Sequence, residues 1–550
     1  MEQARLVIAI ALSLFVFVLW NFFFAEKKEN QPPKPDQQKE QKSDEIPNIL
    51  RKDQVVAKTS LPVKIPDTPL KPARTVTVKT PLYVVRISEK GAVFKSYVLK
   101  NYRETIDADS PLLEMIPPDI SEGTIRLGFS GNSLGGLDGA VFSGDMDGDS
   151  VDIIHKSKEI SFVWTSPQGV TIEKKFSFSP ASYMIDLNVT IKNLSSETLR
   201  DSIVLSLAQP AEVKESRYGF TGPSALINNK LTQVKTKKIK DKNIYTGNIK
   251  WVAVQNRYFM SAIIPDDPVD GAMRLHVDDK VLTNRYVRPE MVMDSGTQHA
   301  FKYKLFFGPK SMRILKGLDY DLVKAVHFGM FDIIAKPCVW IMNFIYDHFI
   351  PNYGVAIIML TLFTKIILWP LGNKSYKSMA EMKKIQPLMA EIKEKYKDDK
   401  KRMNEEVMGL YKTYKVNPMG GCLPMLAQIP IFFALYRMLY EAIELRHAPF
   451  FWWINDLSAP DRLFRFDISI PFMQPPYGIP VLTIIMGASM FLQQKMSPPM
   501  GDAAQAKMMM LMPLVFTVMF INFSSGLVLY WLVNNIISMA QQYYIQKKNV

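Results

Sequence analysis

The chain has 550 residues, is 47% hydrophobic with 31 Met, and carries a formal net charge of +14. That length exceeds a single core, so at least two structural units are expected. The basic excess comes without zinc-finger spacing, an RNP-like aromatic string or a continuous basic stripe, which argues against sequence-specific nucleic-acid recognition. Positive charge beside membrane spans is the simpler cause.

Residues 1–25 hold the run LVIAIALSLFVFVLWNFFF (6–24). It is longer than a signal core, and Trp20, Phe22, Phe23 and Phe24 occupy the place where small residues would mark a cleavage site, so a transmembrane anchor is predicted. Residues 26–73, centred on QPPKPDQQKEQKSDE, are rich in charge, Gln and Pro and predict a flexible linker. From Arg74 the hydrophobic period becomes two: TVTVKTPLYVVRIS, GAVFKSYVL, VTIEKKFSF and MIDLNVTIKN are strands broken by turn residues. A large all-β sandwich over 74–317 follows. Its histidines, His155, His276 and His299, have no carboxylate or nucleophile at a catalytic spacing. GDMDGDSVD lacks the twelfth-position Glu of a calcium loop and predicts a solvated turn. No catalytic residue, metal site or cofactor is expected.

Residues 318–350 mix aromatics (Phe328, Phe331, Trp340, Phe344) with Lys324, Asp332 and Lys336, and predict an amphipathic helix lying on the membrane surface. The remaining 351–545 contain apolar stretches at about 353–371, 421–440, 477–492, 508–523 and 527–544, which with the anchor make six spans. Cys338 and Cys422 are expected near opposite membrane faces, unpaired and buried. Between the first two spans of this group, 373–417 repeats apolar residues at three and four and breaks at Asp398–Asp399, which predicts an antiparallel helical hairpin. It carries twelve Lys/Arg, Lys383, Lys384, Lys400 and Lys401 among them, against seven acids. By the positive-inside rule it faces the cytoplasm. The acidic balance of 441–476 fits the outer side, which puts both termini in the cytoplasm and the β-domain outside.

Lys365 lies well inside the first of these spans, where a cation costs about 2.5–3.5 kcal/mol on insertion scales. Thr361 is one turn earlier on the same face. Gln428 sits in mid-span beside Ile429 and Pro430, and Asn534 and Asn535 sit in the middle of the last span. Taken singly, these amides read as glue between helices. Beside a lysine with no intramembrane acid to neutralise it, they point to a water-containing hollow. The spans are short enough to thin the bilayer, and Met508, Met509, Met510, Met512 and Met519 give one helix an adaptable surface.

NPMGGCLPMLAQIPIFFALY (417–436), FWWINDLSAPD (451–461), QQKMSP (493–498) and SSGLVLYWLVNN (524–535) closely resemble, in this order, the YidC family of membrane protein insertases. ISEKGAVFKSYVLKNYR (87–103) and KWVAVQNRYF (250–259) are similar to its Gram-negative branch. The resemblance implies a bacterial inner-membrane protein with a five-helix core and a periplasmic β-supersandwich. It also implies a groove open to cytoplasm and lipid, with Tyr530 and Trp531 where aromatic pairs line it. The implied activity is to insert and fold nascent membrane proteins, alone or beside the Sec translocon, without chemistry; the basic hairpin and tail would meet ribosomes or lipid headgroups. Where the family usually has Arg this chain has Lys365, which keeps the charge and loses the planar fork. The rival reading is a polytopic anion transporter using Lys365, although no internal repeat supports it.

Overall fold

The structure, a computed structural model, describes residues 73–211, 219–278, 280–414, 416, 423–497 and 503–548. The expected anchor, all of the expected linker but its last residue, and Cys422 lie outside them. The chain forms two compact units, one of Lys64–Trp369 with Met425–Gln541, the other including Pro370–Pro424 and Gln542–Val550.

In the first unit, residues 75–309 form the sandwich. A five-stranded sheet runs in the spatial order 112–114, 93–103, 83–88, 75–79, 150–152, the last pair parallel. A 13-stranded sheet faces it. The period of two read from the sequence is the period of burial: along Val170–Phe178 every odd position counted from Val170 is buried. Rings fill the space between the sheets. Tyr97 stacks on Tyr83 at 4.6 Å and on Phe307 at 4.9 Å, and Phe94 meets Phe176 at 5.3 Å. Burying each such ring contributes about 1.5–3 kcal/mol.

Lys174 falls on the inward face of its strand and is fully buried. Its Nζ donates to the carbonyl oxygens of Ala92 (2.6 Å), Ile125 (2.9 Å) and Gly91 (3.2 Å). The amine ties the turn at 91–92 to the segment entering the strand Arg126–Phe129, three carbonyls that no apolar side chain could satisfy.

Beyond the sandwich, the helix expected over 318–350 is continuous only from α2 (Asp332–His348), after a short α1 (Met312–Lys316). Asp319, Tyr320 and Asp321 have φ of 58°, 50° and 57°, which no α-helix tolerates, and two 3₁₀ turns follow. The turns bury Leu322, Ala325 and Phe328, and Asp321 accepts from Lys250 Nζ at 2.6 Å. α2 buries Ala335, Cys338, Val339 and Met342 on one side and exposes Ile333, Trp340 and Phe344 on the other. Apolar residues on both faces suit a helix lying between a protein core and lipid.

α3 spans Tyr353–Lys395 and joins the span with the first hairpin arm. Pro370 does not end it; close by, Gln541 Nε2 donates to Trp369 O at 3.3 Å. In the second unit, α4 (Lys400–Thr413) begins where Asp399 accepts from the backbone N–H groups of Lys401 and Arg402, an N-cap at the break expected there. The two arms touch through Tyr411 and Met389. Four further helices are α5 (Leu423–Glu441), α6 (Val481–Met496), α7 (Ala503–Phe520) and α8 (Ser525–Lys548). The stretch expected as a span from 477 opens instead as a short strand, Tyr477–Ile479, paired with Leu463–Phe466. α6 and α7 approach closely at Gly487, where an added Cβ would lie 2.0 Å from Thr517 Oγ1.

Burial pushes the Lys174 amine down to about 7, far below an unfolded lysine at about 10. The folded state therefore binds fewer protons between these values, and its stability rises with pH across that window. Sandwich unfolding, followed by near-UV circular dichroism on the full chain at pH 7 and pH 9, is expected to show a higher midpoint at pH 9. Lys174→Met is expected to flatten this slope and to lower the midpoint at both values, because three carbonyls lose their donor.

Candidate functional site

α3 is inside out by the standards of a water-soluble helix. Over 353–369 its outward residues are Leu362, Phe363, Ile366, Ile367 and Trp369, with Ile366 68% exposed. Its buried residues include Thr361 and Lys365, 0% and 9% exposed. An apolar outside, with polar side chains confined to a buried face that Ala356, Ile357 and Leu360 share, fits a helix solvated by lipid. Among the described residues it is the one helix long and apolar enough to cross a membrane by length and composition, with Met508–Phe520 a shorter apolar stretch. α7 shows the same outward character: Met508, Met510, Leu511, Leu514 and Val515 are exposed.

Lys365 points at α8. Its Nζ donates to Ser538 Oγ at 2.8 Å, and that hydroxyl donates to the Asn534 carbonyl at 2.7 Å. One turn along α8, Asn534 Oδ1 accepts from Gln428 Nε2 of α5 at 2.9 Å. Lys365, Ser538, Asn534 and Gln428 thus form a polar ladder joining three helices. One of the three donors of the ammonium goes to a protein hydroxyl. No carboxylate of the described residues pairs with it. Thr361 does not join the ladder: its Oγ1 donates back to Ile357 O at 2.7 Å within α3.

The two neighbouring asparagines divide their work. Asn535 is buried and donates to Ser489 Oγ of α6 at 3.0 Å, a bond between helices away from Lys365. Ile429 and Pro430 are exposed beside the half-buried Gln428. Tyr530 is buried, and Trp531 lies edge-on to Phe432 (4.6 Å) and Phe520 (5.0 Å), so this aromatic pair forms packed wall. On the hairpin Lys383, Lys384 and Lys401 are exposed, and the side chain of Lys400 lies outside the described residues.

Two sets of residues escaped the sequence reading. Ser538 is one; its position four residues after Asn534, on the same face, was the available signal. The other set ties the sandwich to the end of α5 and to the loop after it. Arg257 Nε donates to Tyr440 O at 2.6 Å, with its guanidinium 3.7 Å above the Tyr440 ring. Arg446 donates to the carbonyls of Arg103 and Glu104 at 2.6 and 3.0 Å, and Ser311 Oγ to Glu444 at 3.0 Å. Arg257 stands inside the KWVAVQNRYF stretch.

The family model described as YidC periplasmic domain matches residues 75–341, and the one described as 60Kd inner membrane protein matches 344–550. The chain is 40% identical over 561 residues to the membrane protein insertase YidC of Syntrophus aciditrophicus, covering 99% of both chains. It is 40% identical over 560 residues to that of Syntrophobacter fumaroxidans, covering 99% of this chain and all of the relative. A crystal structure of an active YidC insertase with its first transmembrane domain resolved matches with a TM-score of 0.38 and 20% identity, over 86% of this chain and 95% of that one. Likeness along the whole length leaves no support for the anion-transporter reading. The chain belongs to the YidC family of membrane protein insertases.

Proposed function

We propose that this chain inserts membrane proteins by offering a client's polar segment the ladder of Lys365, Ser538, Asn534 and Gln428 part-way across the hydrocarbon. The observation that carries this reading is Lys365, buried in a helix whose outward face is apolar, bonded to one hydroxyl and paired with no described acid. A polar segment crossing lipid leaves backbone and side-chain groups unsatisfied. Fixed amides and hydroxyls lower that barrier, and the cation attracts acidic residues more strongly than it would in bulk water. Ile429 and Pro430, exposed next to Gln428, are the apolar contact for the client, while Tyr530 and Trp531 hold the wall behind it. The reading requires no covalent or acid–base step, no metal and no cofactor.

The topology belongs to the same proposal: six spans, the sandwich in the periplasm, both termini and the hairpin 373–417 in the cytoplasm. The basic balance of the hairpin supports it. Its exposed lysines suit ribosomal RNA or anionic lipid headgroups, and work beside the Sec translocon follows from the family.

Insertion of matched clients that differ only in the charge of the translocated segment, read by protease protection, tests the role of Lys365. Lys365→Arg is expected to retain activity. Lys365→Ala is expected to slow acidic clients roughly three- to tenfold, as for an attraction of about 1 kcal/mol, and to spare neutral ones. Lys365→Glu is expected to be worse than Ala for acidic clients. If Ala and Arg behave alike for every client, the cation has no part in insertion.

A double-mutant cycle of Gln428→Ala and Asn534→Ala, followed by thermal unfolding in detergent, is expected to give a coupling of about 0.6–2 kcal/mol. Reversing Lys383, Lys384, Lys400 and Lys401 to Glu is expected to weaken insertion of ribosome-bound clients at physiological salt. Unchanged insertion would count against hairpin contact.

A further inference from the structure

The outer face of the 13-stranded sheet carries a row of arginines that the fold does not require. In register, Arg126 stands opposite Ser206, Ser206 opposite Arg285, and Arg285 opposite Arg274. Directly paired residues on adjacent strands project to the same side, and strands lie about 4.8 Å apart. The alternate positions Leu127, Leu205, Leu207, Asn284, Tyr286, Met273 and Leu275 are buried in the sandwich, so the row faces outward. Three guanidiniums therefore lie within about 15 Å, with only a serine between the first and second.

Like charges directly opposite each other in a sheet are destabilising. Arg274 and Arg285 are such a pair, and no described carboxylate bridges them. Arg126 pairs with two exposed carboxylates, Glu122 at 3.4 Å and Asp138 at 3.5 Å, neither of which reaches the Arg274–Arg285 pair. Arg274 Nη1 donates to Ser130 Oγ at 3.3 Å, while its Nε is buried without a partner among the described residues. Burial lowers the Arg285 pKa, and Arg126 and Arg274 lower it further, against a smaller opposing pull from Asp138. Beside the row lies a small apolar floor of Val204, Ala272 and Val287, with Ile244 packed against it.

We infer that the row Arg126–Ser206–Arg285–Arg274 is a binding site for a phosphate ester. Its phosphate is held by the guanidiniums and the Ser130 and Ser206 hydroxyls, and its organic part rests over Val204, Ala272 and Val287. Arginine forks match phosphate oxygens two at a time, and three forks with two hydroxyls offer more donors than one carboxylate accepts. A dianion also removes the repulsion between Arg274 and Arg285. The same chemistry is presented by a soluble sugar or glycerol phosphate and by a phospholipid headgroup.

The test uses the full chain reconstituted in phosphatidylcholine nanodiscs. Calorimetric titration with glycerol 3-phosphate, with glycerol and succinate as controls, reports a soluble ligand. Co-flotation with phosphatidylglycerol vesicles, against phosphatidylcholine vesicles, reports a headgroup. Arg274→Gln with Arg285→Gln is expected to weaken binding at least about tenfold in whichever arm is positive. Ser206→Asp, which places a carboxylate between Arg126 and Arg285, is expected to abolish binding and to raise the unfolding midpoint of the ligand-free protein. That second variant separates lost binding from lost folding. Binding of glycerol 3-phosphate assigns a soluble ester; flotation alone, lost in both variants, assigns a headgroup. No binding in either arm, binding unchanged by both variants, or succinate bound as tightly as glycerol 3-phosphate overturns the inference.

Discussion

Everything in the helical part depends on satisfying one ammonium in surroundings that cannot solvate it. A membrane helix can hide its backbone by being a helix, but a side-chain charge needs a partner from elsewhere in the protein. Here α8 supplies a hydroxyl at 2.8 Å, and α8 is held in turn to α5 through Asn534 and Gln428 and to α6 through Asn535 and Ser489. These contacts are directional where lipid-facing contacts are not, so they fix the rotation of each helix about its axis. The exposed side of α3 follows from that rotation: turning Lys365 inward leaves Leu362, Ile366 and Ile367 outward.

Most of this was legible in the chain because period and polarity survive folding. The alternation of VTIEKKFSF became the burial of Val170–Phe178, and Asp398–Asp399 marked the hairpin turn with its cap. Lys365, Gln428 and Asn534 stood out because a polar group in an apolar run is rare. Ser538 did not stand out, since serine is cheap in a membrane helix and its meaning lies in what faces it. Lys174 was invisible for a different reason: in KK one lysine faces inward and one outward, and a pattern of two with an inward charge reads as an ordinary surface strand. The break at 319–321 was hidden as well, because left-handed Asp and Tyr residues carry no composition signal as strong as glycine.

The arginines binding the sandwich to the end of α5 and the loop after it add directional contacts to an apolar core that runs continuously from the sandwich into the helices. Arg257 lies flat over Tyr440 while bonding that residue's carbonyl, and Arg446 grips two successive carbonyls of the sandwich. A lysine could make one of these contacts but not the stacked and the bonded contact together. Planar groups thereby help set the orientation of the sandwich relative to the C-terminal end of α5, and they resist rotation better than point charges do. The outward arginine row includes none of these residues, so docking and the proposed phosphate site do not compete for side chains.

On the proposed reading either cation serves at 365, lysine here or the arginine usual in the family, and the two differ in how they would meet a client's carboxylate. A guanidinium would offer five donors in a rigid fork and could hold a carboxylate by two bonds at once. An ammonium offers three donors around a point charge on a flexible stem, and one is already committed to Ser538. Its attraction for a passing acid is therefore mainly Coulombic, strong at a distance and weak in geometry. Ser538 tempers the charge further, because the ammonium it already solvates gains less from a client's oxygen. On the same reading, the apolar exteriors of α3 and α7 offer a client segment a lipid-like surface along which to leave sideways.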